Sequence, residues 1–140
     1  MCLKTLEPIP ENLSGVGYKF VCGVRIGVDK ITCSTPYMYT TLTVGTECVA
    51  MPPKNGRYNV DAGRLQLETD PTRSYKAGFH IYPTLHDARQ SGWGREWSIK
   101  MAKVRYSEVT AYGEDGSSSY ESGQPKCLVA QKMTVISIFV

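Results

Sequence analysis

The feature that most constrains the fold is an alternating run near the start of the chain, GYKFVCGVRIGVD, at residues 17–29. Successive side chains of a β-strand point to opposite faces, so a period of two predicts a strand with one buried face and one open face. The apolar face holds Tyr18, Phe20, Cys22, Val24, Ile26 and Val28. The other face holds Lys19, Gly23, Arg25, Gly27 and Asp29. Glycines on that face predict a bulge or a close approach of another group to the backbone.

Further strands are predicted along most of the chain. Residues 35–51 are rich in threonine, tyrosine and valine and are interrupted at Gly45, and RLQLET alternates over a shorter length. In the run WSIKMAKVRYSEVTAYG the apolar residues are at odd-numbered positions up to Met101 and at even-numbered positions from Ala102. This change predicts a bulge near Ala102 or burial of both faces of the strand. The last run, KCLVAQKMTVISIFV, is nearly all apolar at its end and predicts a central strand.

A single short helix is predicted within the segment PTLHDARQSG. Thr84 is a suitable N-cap, Asp87 follows three residues later, and Gly92 can end the helix. With six to eight short strands, the pattern predicts an α+β fold, either a mostly antiparallel β-sheet or a small open barrel with one short helix. The length of 140 residues suits a single domain over residues 1–140.

The composition excludes several classes of protein. The five cysteines form no C-x-x-C pair, and the two histidines have no cysteine near them, so we expect neither a metal site nor a disulfide framework. No apolar run approaches membrane-spanning length, and the N-terminus lacks the apolar core of a signal peptide. The sequence therefore predicts a cytoplasmic protein, in whatever cell makes it, with no membrane partner.

A ligand site is predicted around the strand AGFHIYP. If Phe79 and Ile81 point inward, His80 and Tyr82 face a groove or the solvent, about 7 Å apart along the strand. Residues 73–105 carry seven cations and two acids, so this stretch is locally basic. Aromatic rings interleaved with cations suit a base with phosphate groups. The predicted ligand-binding residues are Arg25, Tyr75, Lys76, His80, Tyr82, Trp93 and Arg95. The alternative is that the histidine is a structural residue and the tryptophans plug the edge of a small core.

The sequence contains no recognisable catalytic motif. There is no phosphate-binding Walker loop, no G-x-G-x-x-G after a strand, no H-E-x-x-H and no diagnostic pair of nucleophile and base. We therefore expect binding without catalysis, with no catalytic residue and no cofactor.

Several short motifs resemble those of small uncharacterised proteins from bacteriophage and prophage genomes. They are Met1-Cys2-Leu3, Gly17-Tyr18-Lys19, Gly78-Phe79-His80-Ile81-Tyr82, Asp87-Ala88, Val104-Arg105-Tyr106 and Val129-Ala130-Gln131-Lys132-Met133. The resemblance implies a phage accessory protein, a class that often acts against host immunity by blocking an effector or sequestering a signalling nucleotide.

Three functions follow as hypotheses. The first is an anti-defence protein that binds and sequesters a small anionic ligand, such as a host immune signalling nucleotide, without catalysis. The second is a protein–protein inhibitor of a host defence enzyme. The third is a nucleotide-processing enzyme that uses His80. A homo-oligomer is reasonable in each case, because an edge strand and the apolar C-terminal run offer contact surfaces.

Overall fold

The computed structural model describes residues 3–35, 41–50, 63–67, 69–91, 98–116 and 125–139. These ranges contain the strands β1 (Val16–Ile26), β2 (Ile31–Ser34), β3 (Thr41–Thr43), β4 (Glu47–Val49), β5 (Arg64–Gln66), β6 (Ser74–Lys76), β7 (Phe79–Ile81), β8 (Ile99–Glu114) and β9 (Lys126–Ile138). The helix α1 (Leu85–Gln90) lies between β7 and β8. Every pairing between these strands is antiparallel. The prediction of a mostly antiparallel fold with one short helix is confirmed.

Strand β9 is the centre of the larger sheet. The order is β3-β2-β1-β8-β9-β4, and β7 also pairs with β9. One edge of β9 therefore bonds to β8 along most of its length, while the other edge is shared by β7 and β4. This confirms the prediction that the last apolar run forms a central strand. Strands β5 and β6 form a separate two-stranded sheet.

The larger sheet is nearly closed into a barrel by a contact between β7 and β1. Just beyond β7, Tyr82 exchanges two backbone hydrogen bonds with Tyr18, each 2.8 Å long. Because β1 pairs with β8, β8 with β9, and β9 with β7, this contact completes a ring of four strands. We call the contact between Tyr18 and Tyr82 the seam.

Apolar side chains fill the ring and cover its outer surface. The largest cluster takes residues from each strand of the larger sheet except β4, and Cys48 of β4 packs against it. Its buried members are Val21, Cys33, Leu42, Phe79, Ile81, Ala102, Val104, Tyr106, Leu128, Ala130, Met133 and Val135. A second cluster joins the N-terminal segment to β5, β6 and β9, and a third lies beneath α1.

The glycine prediction for β1 is confirmed at Gly23, but the alternation prediction is wrong at both ends of the run. Gly23 has a φ of 58° and lies where the pairing of β1 with β2 shifts register. Beyond it Ile26 is 79% exposed and Val28 is fully exposed, because β8 pairs with β1 only as far as Cys22. Lys19, predicted to be open, is buried because β7 lies against that side of β1.

The other local predictions hold where the structure describes them. Thr84 accepts a hydrogen bond from the Asp87 N–H at 3.1 Å and caps α1, as predicted. The pairing of β8 with β9 shifts register between Lys103 and Val104, next to the predicted bulge. Gly45 interrupts the segment between β3 and β4 with a φ of 86°. Gly92 lies outside the described residues. Among the described helices, none has the length and apolar character needed to cross a membrane.

The seam requires glycine at position 17. A Cβ atom on Gly17 would stand 2.7 Å from Ile81 Cγ2 and 2.7 Å from the Tyr82 carbonyl oxygen. We expect Gly17→Ala to push β7 away from β1 and to lower the free energy of unfolding by about 2–3 kcal/mol. Ser107→Ala, at an exposed position of β8, is the control and should stay within about 0.5 kcal/mol of the parent. Urea unfolding measures both changes, and equal midpoints would contradict this account of the seam.

Candidate functional site

Both faces of β7 are buried, so the prediction that His80 and Tyr82 face a groove or the solvent is wrong. His80 is 7% exposed, and Tyr82 is buried as completely as Ile81. Phe79 and Ile81 pack inside the ring, as expected. The opposite face is covered by Tyr75, whose ring meets the His80 ring edge-on at 5.8 Å, and by Phe20, which meets Tyr82 in the same way at 6.0 Å.

His80 belongs to a buried chain of hydrogen bonds. Its Nε2 atom lies 2.9 Å from the Tyr75 hydroxyl, which accepts a hydrogen bond from the Leu3 N–H at 2.9 Å. Burial and the nearby charge of Lys19 lower the pKa of His80 to about 3, so the ring is neutral. A hydrogen bond to the backbone of Gly78 favours a proton on the ring. We therefore assign the hydrogen to Nδ1 and let the Tyr75 hydroxyl donate to Nε2.

Lys19 is a buried cation that the sequence assigned to the open face. Its ammonium nitrogen donates to the His80 carbonyl oxygen at 2.8 Å, and the residue is 8% exposed. Burial lowers the pKa of Lys19 to about 8, while the charge of Asp115 acts in the opposite direction. Lys19 forms no ion pair with any residue in the described ranges. Its positive charge is therefore held at the seam by the His80 carbonyl oxygen, without an ion pair to a described residue.

Tyr82 is also held by a buried polar partner. Its hydroxyl donates to Asp115 Oδ2 at 2.5 Å, and both side chains are fully buried. Burial and the Asp115 charge raise the pKa of Tyr82 well above its usual range. The phenol is therefore a fixed donor inside the protein. Within the described parts of the chain, no group of three or more His, Cys, Asp or Glu side chains could hold a metal ion.

The seven predicted ligand residues are not gathered into one surface by the described contacts. Tyr75 and His80 are in direct contact. Arg25 lies exposed on the β1–β2 ribbon, by which we mean the part of β1 beyond Cys22, the turn that follows it, and β2. Lys76 lies exposed on β6, and no described contact joins Arg25 or Lys76 to His80. Trp93 and Arg95 lie outside the described residues. Ligand binding by these seven residues stays a prediction.

A different surface combines exposed and half-buried aromatic and cationic side chains. The ring of Tyr18 stacks on Phe139 with the centroids 6.5 Å apart and the planes at 23°, and Phe139 is 47% exposed. Lys103 is the cross-strand partner of Tyr18, so their side chains share one face of the sheet. Arg105, two residues along β8, shares the same face and is exposed. We call these four residues the aromatic–cationic patch.

The two cations of the patch form no ion pair with the part of the chain that the structure describes. The described ion pairs use Lys126 and Lys132, and neither Lys103 nor Arg105 takes part in one. The residues paired with these two cations carry no charge. They are Val16, Tyr18, Thr134 and Ser137. An exposed aromatic ring can stack on a planar base, and cations on the same face of the sheet can bind its phosphate oxygens.

Sequence reasoning missed the patch because its residues come from both ends of the chain. The basic composition of residues 73–105 did include Lys103 and Arg105, which is the one signal that pointed toward it. The stacking of Tyr18 on Phe139 depends on the pairing of β1 with β8 and of β8 with β9. The alternating pattern of a single strand carries no information about these neighbours.

In comparisons with known proteins, no family model, no curated protein and no solved structure matches this chain. The geometry is therefore the basis of the functional argument that follows, together with the resemblance in sequence.

The buried His80 predicts a specific loss of stability in acid. As the pH falls from about 6.5 toward 3, His80 becomes protonated in the unfolded chain but stays neutral in the folded protein. Folding should therefore weaken by up to about 1.4 kcal/mol per pH unit in this window. His80→Gln keeps a hydrogen-bond acceptor for Tyr75 but cannot titrate, so its decline with falling pH should be shallower.

Urea unfolding at several pH values between 7 and 4 measures this slope. His86→Gln is the matched control, because His86 is exposed on α1 and its replacement should leave the slope unchanged. Parallel curves for the parent and His80→Gln would show that His80 does not carry the pH dependence.

Proposed function

We propose that this chain is a phage accessory protein that binds and sequesters a small anionic, nucleotide-like ligand of a host defence system without altering it. The phage origin and the anti-defence role rest on the resemblance in sequence. The observation that supports nucleotide binding is the aromatic–cationic patch, in which the half-exposed Phe139 ring stacks on Tyr18, the cross-strand partner of Lys103. Arg105 follows two residues along β8, and neither cation has an acidic partner within the described residues.

The chemistry of the patch suits a base and a phosphate together. Base–aromatic stacking contributes about 1–3 kcal/mol per base, and it accepts any base because each has a π-face. The Arg105 guanidinium can bind an oxyanion through two parallel hydrogen bonds, while Lys103 supplies a point charge. Neither cation forms an ion pair within the described ranges, so binding a phosphate would not require breaking one of the described ion pairs.

The third hypothesis, catalysis by His80, receives no support from the geometry. The ring is buried, its Nε2 atom is hydrogen-bonded to Tyr75, and its pKa of about 3 makes it a weak base at neutral pH. A general base works best with a pKa near the operating pH. We therefore keep binding without turnover as the proposed function.

Calorimetry against cyclic mono- and dinucleotides and ADP-ribose compounds tests the proposal. We expect the parent protein to bind one member of this panel, and the ligand's mass to be unchanged after incubation. Phe139→Ala should weaken binding by about 5- to 150-fold, the equivalent of one lost stacking contact. Lys103→Glu and Arg105→Glu should also weaken it.

Lys30→Glu is the matched control, since it makes the same charge change at an exposed position of the β1–β2 turn. It should leave the affinity within about twofold, the scale of a distant surface charge. No binding by the parent to any compound would refute the proposal, as would an equal loss of affinity in the control and the patch variants.

The β1–β2 ribbon favours a second candidate function, inhibition of a host defence enzyme by direct contact. Its tip exposes Ile26, Val28 and Ile31 beyond the edge of the larger sheet. At the tip, the Gly27 N–H donates a hydrogen bond of 2.8 Å to the Lys30 carbonyl oxygen, which closes the turn between β1 and β2. A pre-ordered apolar tip loses little entropy on binding and can enter a cleft of a partner protein.

Val28→Asp separates this second function from the first. Because Val28 is fully exposed, the change should alter the free energy of unfolding by less than about 0.5 kcal/mol. The measurement is a pull-down from host lysate. If the tip docks on a protein, the parent chain should retain one host protein in stoichiometric amount. Val28→Asp should no longer retain that protein, whereas Phe139→Ala should still retain it. Retention by both variants would contradict a role for the tip.

A further inference from the structure

We propose that the aromatic–cationic patch selects a nucleotide with a chain of at least two phosphate groups over a mononucleotide. In this arrangement the base stacks on Phe139, the first phosphate lies at Lys103 and the second lies at Arg105. The inference rests on the proposed function, and it adds the class of ligand and the direction in which the ligand lies on the sheet.

The strand register places the parts of the patch in a fixed order. The Phe139 N–H donates to the Met101 carbonyl oxygen at 2.8 Å, so Phe139 lies beside Met101. Lys103 and Arg105 follow along β8 at intervals of two residues, each about 7 Å of strand. Unbroken pairing with β1 over this stretch keeps both cations on one face. The order along β8 is therefore an aromatic ring, a first cation and a second cation.

The aromatic end of this line is suited to a base and not to a phosphate. Phe139 stacks on Tyr18 and remains 47% exposed, so part of the ring is open to a ligand. Met101 and Tyr18 pack together against the apolar cluster beneath α1. The first cation on this face of β8 is Lys103, so a nucleotide whose base lies on Phe139 should extend its phosphates toward Lys103.

Each of the two cations has a hydroxyl side chain opposite it on β9. Ser137 is the cross-strand partner of Lys103, and Thr134 is the cross-strand partner of Arg105. Cross-strand partners lie on the same face of a sheet, so each cation has a hydroxyl group near it. A cation and a hydroxyl group can together bind the oxygens of a phosphate. The same pair of chemical groups occurs twice, which suits a ligand with two phosphates in succession.

The line of cations without described ion pairs ends after Arg105. The next residue on this face of β8 is Ser107, whose cross-strand partner is Lys132. Lys132 forms an ion pair with Glu108 at 3.1 Å, whereas Lys103 and Arg105 form none within the described residues. A third phosphate would have to compete with Glu108 for Lys132. It should therefore add less to the affinity than the second phosphate does.

Calorimetry with AMP, ADP and ATP at one ionic strength tests the inference, because stacking accepts any base. The parent should bind ADP about tenfold more tightly than AMP, the effect of one added charge-assisted hydrogen bond. ATP should gain less than about fivefold over ADP, the scale of a surface ion pair. Arg105→Gln should bring the ratio of the AMP and ADP dissociation constants close to one. Lys103→Gln should weaken both nucleotides and leave a preference for ADP.

The control is Lys30→Gln, which removes a positive charge from the exposed turn of the β1–β2 ribbon and should leave both affinities unchanged. Equal binding of AMP and ADP by the parent would overturn the inference. So would a preference for ADP that persists in Arg105→Gln and disappears in Lys103→Gln, because the order of the two phosphates would then be reversed.

The same measurements separate this inference from the proposed function. If another compound of the nucleotide panel binds at the patch while ADP does not bind, the two-phosphate arrangement is wrong and the proposed function stands. If no compound of the panel binds, both are wrong.

Discussion

The pair of backbone hydrogen bonds between Tyr18 and Tyr82 is the constraint on which the rest of the structure depends. It brings β7 against β1, and this turns a curved sheet into a nearly closed ring. Glycine is needed at position 17 because the two segments approach so closely there. The same approach buries Lys19 against the His80 carbonyl group. On the outer face, the side chain of Tyr18 is left beside Phe139.

The polar groups of this protein consequently divide into two kinds with different physical roles. Those around β7 are buried and bonded to one another, so they hold β6 and the N-terminal segment in place and have little freedom to meet a ligand. Lys103 and Arg105, on the outer face of β8, form no ion pair within the described residues. A hydrogen bond already made inside the protein stabilises the fold, whereas an unpaired exposed cation is available for binding.

The parts of the fold that were predictable from the sequence are those set by local chemistry. The cap at Thr84, the bulge at Gly23 and the central position of β9 each follow from residues within one segment. The burial of His80 could not be predicted in this way, because Tyr75 of β6 covers the face of β7 that carries His80. The alternation of residues within β7 gives no information about which other strand packs against that face. The patch was hidden for the same reason, since strand register brings its residues together.

The central claim is that a nucleotide-like ligand binds on the outer face of the seam strands rather than at the buried histidine. Two-dimensional NMR of the labelled protein, titrated with the tightest-binding nucleotide of the panel, tests it most directly. The account predicts that shift changes concentrate at Tyr18, Lys103, Arg105 and Phe139, and that the ring signals of His80 stay fixed. Changes concentrated at His80 and Tyr75, with the outer face silent, would contradict it.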